Sequence, residues 1–109
     1  MNVTISRTEW ASALQEFTRR NAGRRTGLEE DNEWFGAQAQ ESGLLLRGLS
    51  FDPRKNEVEI MLEDVEASIH FTRMIPGVTA IDIEHLSRGD AAIRIAHGEN
   101  QTLLRLTDV

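Results

Sequence analysis

Apolar residues at Trp10, Ala13, Leu14 and Phe17 recur at i, i+3, i+4 and i+7, one face of a 3.6-residue period. The spacing predicts an amphipathic helix over Ser6 to Arg20. Ser6 followed by Glu9 fits a capping box, and Asn21-Ala22-Gly23 supplies a left-handed stop beyond the last turn. Ahead of the helix, Val3 and Ile5 alternate with polar residues and read as a short edge strand.

After Gly23 the period drops to two. Arg24 to Glu30 is a strand candidate interrupted by Gly27, followed by an acidic turn at Glu29-Glu30-Asp31-Asn32-Glu33. Trp34 to Gln40 alternates loosely, with Phe35, Ala37 and Ala39 on one side and a bulge or a close backbone approach expected at Gly36. Glu41-Ser42-Gly43 reads as a tight turn into Leu44–Phe51. That run has no clean period, so it is either buried on both faces or re-phased by a bulge at Gly48. Asp52-Pro53-Arg54-Lys55-Asn56 is the strongest loop, with proline at the natural second position of a turn. Val58, Ile60 and Leu62 then alternate with Glu59 and Met61, and Ile69, Phe71 and Ile75 follow in the same manner after Glu63–Glu66. Pro76-Gly77 closes that strand. Ile81 with Ile83, Ile93 with Ile95, and Leu104 with Leu106 mark three more, joined by turns at Ser87–Asp90 and His97–Asn100.

Strands joined by turns this short pair antiparallel, because a parallel crossover needs a dozen or more residues. The expected fold is therefore α+β: one N-terminal helix packed on an antiparallel meander of about six strands. The pattern leaves both an open sheet and a partly open barrel available. A helix stripe must be buried against something. Trp10, Leu14 and Phe17 are expected against Val58, Ile60, Leu62, Ile69, Phe71, Ile93 and Ile95.

Size and composition narrow this further. A chain of 109 residues with no internal repeat or linker is read as one domain, residues 1–109. A net charge of −6 argues against a sequence-independent grip on phosphate backbones or anionic lipid. With no cysteine there is no disulfide, thiolate metal site or cysteine nucleophile. No apolar run approaches the roughly 20 residues of a membrane span, and no signal-peptide core is present, so a cytoplasmic location is expected. Eleven arginines against one lysine fit a GC-rich genome more than any function.

The order of features is familiar: a leading Trp-containing helix, Asn21-Ala22-Gly23-Arg24, Leu28-Glu29, Gly48 before Asp52-Pro53-Arg54, Val58-Glu59-Ile60, His70 before Pro76, and a final Thr102-Leu103-Leu104 strand. In that order they resemble a family of short bacterial proteins known only as a domain of unknown function. The resemblance implies a bacterial source and a small soluble domain, and it carries no catalytic residue over.

Candidate chemistry is sparse. His70, His85 and His97 are separated by gaps of 15 and 12, unlike the close pairs of zinc or iron sites, so no metal and no cofactor are expected. The carboxylates Glu29-Glu30-Asp31, Glu63-Asp64 and Asp90 fall in predicted turns, where solvation is the ordinary reading, and no nucleophile elbow or phosphate loop is present. The chain is therefore not expected to be an enzyme. Arg19, Arg20, Arg24 and Arg25 cluster at the helix C-terminus, where interaction with the helix dipole explains them without a partner. A helix followed by bent strands is similar, in topology alone, to small RNA-binding barrels, and nucleic-acid binding is the alternative function.

Alternation sends Met61, His70, Thr72, Ala92, Arg94, Ala96, Leu103 and Arg105 to the sheet face turned away from the helix. A solvated face normally carries lysines and glutamates. This mixture of small, sulfur-containing, apolar and arginine side chains suits a contact surface instead. The expected function is a non-enzymatic interaction or ligand-binding module that forms a homodimer. Met61, His70, Arg94 and Arg105 are its candidate binding residues. The competing explanation is that Arg94 and Arg105 merely pair with neighbours across the strands.

Overall fold

A computed structural model describes residues 1–32 and 36–107 of the chain. In chain order its elements are β1 (Asn2–Ile5), α1 (Trp10–Asn21), β2 (Arg25–Asn32), β3 (Gly36–Asp52), β4 (Glu57–Asp64), β5 (Ile69–Pro76), β6 (Val78–Leu86), β7 (Gly89–His97) and β8 (Asn100–Leu106). Every ladder is antiparallel, and the strand order is β1-β6-β7-β8-β2-β3-β4-β5. The α+β class holds, with eight strands among the described residues instead of about six. Two meanders, β2–β5 and β6–β8, join side by side where β8 pairs with β2, and β1 adds to the outside of β6.

Only Gly77 separates β5 from β6, yet no ladder joins them and six strands lie between β5 and β1 in the sheet. The sheet must therefore curl until the end of β5 meets the start of β6, without closing into a barrel. Asn56, in the β3–β4 turn at φ +51°, fastens that corner: its Nδ2 donates to the Val78 carbonyl at 3.1 Å, and its own carbonyl accepts from Val78 N at 3.3 Å.

The helix starts later than its capping signal suggests. Arg7–Glu9 form a 3-10 turn, and Ser6 Oγ donates to the Glu9 carboxylate at 2.9 Å instead of capping a backbone N–H. The stop is as expected, with Gly23 at φ +90° and the Ala22 N–H bonded to the Thr18 carbonyl. Trp10, Leu14 and Phe17 are buried together with Val58, Ile60, Leu62, Ile93 and Ile95. Truncating a side chain such as Phe17 costs roughly 3–5 kcal/mol, a large part of a small domain's stability. Phe71 is only partly buried, and Ile69 is 58% exposed because it opens an edge strand next to the left-handed Ser68, beyond the reach of the core.

β3 is where the sequence pattern misleads most. Glu29–Asn32 are not an acidic turn but the end of β2, paired with β3 on one side, and as far as Asp31 with β8 on the other. The expected turn at Glu41–Gly43 is strand as well: the register steps over Gly43, which sits at φ +84°. A step over Arg47 on the β4 side re-phases the strand, so that Leu46 and Leu49 both reach the core. This is the re-phasing expected near Gly48. The expectations for Glu33, Trp34 and Phe35 fall outside the described residues.

Beyond Leu46, β2 no longer flanks β3, and the helix takes its place. Gly23 N donates to the Leu46 carbonyl at 2.8 Å, and Thr18 Oγ1 bridges the Leu49 N–H and carbonyl at 2.8 and 3.2 Å. Gly48 permits this approach, since a Cβ there would stand 3.3 Å from Met61 Cε and 3.4 Å from Thr18 Cγ2. So the helix plugs one side of the curled sheet and brings its C-terminal end over the β6–β7 turn.

Candidate functional site

The four sequence-predicted residues fall into separate neighbourhoods. Met61 points outward but lines a groove with Ala11, Gln15 and Thr18, because the helix flank reaches round the edge of β3. His70 is exposed on β5 beside Arg47, whose Nη1 lies 2.8 Å from its Nε2, with Glu63 at 3.7 and 3.8 Å from the two. Arg105 is exposed on β8, its Nε 3.2 Å from Glu29 Oε1. Arg94 and Arg105 lie on neighbouring strands, whereas β2 and β3 separate them from Met61 and His70.

Arg94 differs from the others. It stands opposite Asp82 of β6 and Leu103 of β8, in a shallow depression with Asn2, Glu84 and Ala92. Ala92 faces outward like Arg94 yet is only 4% exposed. The Arg94 Nε is buried without a hydrogen-bond partner among the described residues. An orphaned buried donor costs about 1–3 kcal/mol, more when the group is charged.

A second constellation, which the sequence reading missed, lies at the C-terminal end of α1. On β7 the register steps over Ala91, pairing Glu84 with Ala92 and then His85 with Asp90. This bulge re-aims Asp90 toward the helix end. Asp90 Oδ2 accepts from Arg20 Nε at 2.8 Å and Asn21 Nδ2 at 2.7 Å, and its Oδ1 lies 2.7 Å from His85 Nδ1. Arg24 Nη1 donates to the Asp90 carbonyl at 3.0 Å and to Asn21 Oδ1 at 2.9 Å. The Asp90 side chain is only 4% exposed. Burial pushes its pKa up, but the hydrogen bonds from Arg20 and Asn21 and the charges of Arg20 and His85 outweigh that and hold it below the ordinary value.

An ionised carboxylate only accepts, so His85 Nδ1 carries a proton toward it and the other ring nitrogen is left unengaged by Asp90. The same residues, with Arg88 and Gly89, line an open cleft of about 520 Å³. Asp90 is thus a buried anchor and not a solvated turn residue. Its pairing with His85 was legible in principle: the two-residue turn Ser87-Arg88 forces 86 opposite 89 and 85 opposite 90.

Polar side chains also enter the inner face of the sheet. Arg73 Nη2 pairs with Glu30 Oε2 at 3.0 Å, and His97 Nε2 lies 2.8 Å from Thr102 Oγ1. Burial and the charge of Arg73 lower the His97 pKa, against the charge of Glu30. Among the described residues no three His, Asp or Glu side chains gather to hold a metal ion, and no helix is long and apolar enough to cross a membrane.

Residues 1–86 match the model of a family described as a family of unknown function, DUF5335. The match ends with β6, so Asp90, Arg94 and Arg105 lie beyond it, on strands that the sheet places between β6 and β2. No curated protein and no solved structure matches the chain.

Proposed function

The chain belongs to the DUF5335 family, a family of unknown function, and on that premise we propose that it is a non-enzymatic interaction module that pairs with a second copy of itself through the outer sheet face around Arg94. The observation that carries this reading is the Arg94 Nε, buried with no hydrogen-bond partner among the described residues. A folded monomer gains nothing by burying that donor, whereas an acceptor arriving from outside would satisfy it.

The surroundings suit a second copy. Asp82 and Glu84 on β6 form an acidic stripe, and Arg94 with Arg105 on β7 and β8 forms a basic one, with Ala92 between Glu84 and Arg105 and Leu103 beside Arg94. A two-fold axis lays the acidic stripe of each copy on the basic stripe of the other, and closed two-fold pairing is the commonest arrangement of soluble oligomers. Arginine supplies a planar fork that fits the incoming carboxylates.

Light scattering coupled to size exclusion tests the proposal. The expected result is a dimer, converted to monomer by Arg94→Glu with Arg105→Glu while circular dichroism stays unchanged. A wild-type protein that remains monomeric at high concentration would overturn it.

A further inference from the structure

The cleft at the C-terminal end of α1 calls for a different ligand from the sheet face, and it stands independently of self-association. It concentrates positive charge on a chain whose net charge is −6. Arg20, Arg24 and Arg88 contribute three positive charges to the lining and Asp90 one negative charge, so cations outnumber anions there. Glu16 stands beside this set on the helix, paired with Arg19 and, at 3.5 Å, with Arg20 Nη1, and the charge of Arg19 offsets it. The helix C-terminus itself is negative and opposes an anion. The arginines must therefore do more than balance the dipole.

We propose that this cleft binds a phosphate group, as inorganic phosphate or the terminal group of a small phosphate monoester. Charge is one reason: a phosphate carries about −1.5 to −2 near neutral pH and can answer several guanidinium groups at once, whereas a carboxylate carries a single charge. Pre-organisation is another. Asp90 lies beneath the cleft and holds Arg20, Asn21 and His85 from below, at 2.8, 2.7 and 2.7 Å. Arg24 is fixed by its bonds to Asn21 and to the Asp90 carbonyl. These side chains have already lost their rotamer freedom, so a ligand need not supply that entropy again.

Arg88 is the exception: it is exposed in the β6–β7 turn, next to Gly89 at φ +124°, and is placed to close over a ligand. His85 adds its second ring nitrogen. Asp90 is thus a positioning residue, and Arg20, Arg24, Arg88 and His85 are the contacts.

Nitrogen-15 chemical-shift titration of the full chain tests the site, with inorganic phosphate, glycerol phosphate and acetate as probes. Both phosphates should give saturable shifts at Asn21, His85 and Gly89 by about 10 mM, where a millimolar site fills, and acetate should give much smaller ones. Arg88→Ala, which removes an exposed turn side chain, should weaken phosphate binding about tenfold or more with an unchanged melting curve. Asp90→Asn raises the positive charge yet releases its partners, so weaker binding supports positioning and tighter binding overturns it. Absence of saturation, an equal response to acetate, or indifference to Arg88→Ala would overturn the site. If glycerol phosphate binds and inorganic phosphate does not, the ligand is an ester; the reverse result assigns the free ion.

Discussion

Asp90 and Arg94 stand four residues apart on one strand, each with a charged group that reaches a buried position, and they have opposite fates. Asp90 turns toward the helix and receives Arg20, Asn21 and His85. Arg94 turns to the outer face, where its buried Nε receives nothing among the described residues. One residue, Ala91, separates these outcomes, because the register step at that point changes which face Asp90 addresses. The difference distinguishes two uses of a buried charge. A charge satisfied within the chain stabilises the fold and arranges its neighbours, whereas one left with an orphaned donor costs stability unless something outside completes it.

The largest effect should come from removing the satisfied member. Asp90→Ala takes from the buried Asn21 amide one of its two acceptors, the other being the Phe17 carbonyl, and leaves Arg20 and His85 without the carboxylate that holds them, at an expected cost of about 2–4 kcal/mol. The lower part of the usual range applies because Arg20 and His85 are 37% and 40% exposed and can turn to water. Chemical denaturation measures the loss, and a change below about 0.5 kcal/mol would show that the cluster does not hold the helix end.

Acid should act on the same side of the comparison. The Asp90 pKa is lower in the folded state than its ordinary 3.8, so its contribution is fully present above that value and is lost as pH falls below it. His97 also has a lowered pKa, chiefly through burial, so folding favours its neutral form. That contribution is present above the ordinary 6.5 and begins to fade as pH falls below it. Stability against pH should therefore decline in two stages. Asp90→Asn should flatten the lower stage, and His97→Gln the upper one. An unchanged profile in either variant would remove that residue from the account.

What the sequence could and could not announce follows the same division. Alternation placed Arg94 and Arg105 outward, and the 3.6-residue stripe placed Trp10, Leu14 and Phe17 inward, because both rest on unbroken periods. The failures cluster at bulges. Stepping over Gly43 made one strand look like two with a turn between them, and stepping over Ala91 hid the partners of Asp90. Glu29–Asn32 resemble a turn in composition, yet Glu29–Asp31 are paired on both flanks, and Arg105 and Arg73 offset the charges of Glu29 and Glu30. Tertiary pairing outweighs local preference there.

On the other side of the comparison, Arg94→Met keeps the length of the side chain and removes the orphaned donor. Replacing an unpaired buried polar group by a flexible apolar one should stabilise the monomer, by about 1 kcal/mol. The measurement is a melt at concentrations low enough to suppress association. A destabilised variant would mean that Arg94 is satisfied within its own chain, and the contrast with Asp90 would collapse.

The smallest effect on stability is expected at Arg105. Its Nε lies 3.2 Å from Glu29, but the arginine and glutamate side chains are 55% and 28% exposed, so water and salt screen the pair. Arg105→Ala should change stability by no more than about 0.5 kcal/mol, and added salt should erase even that. Association should respond differently. If Arg105 meets the acidic stripe of a second copy, desolvation in the contact strengthens the interaction that solvent weakens in the monomer. The same substitution should then raise the dimer dissociation constant about tenfold while the dilute-protein melting curve barely moves. A melting curve that falls with no change in association would assign Arg105 to its own sheet, and the contact face would shrink to Arg94 and its immediate neighbours.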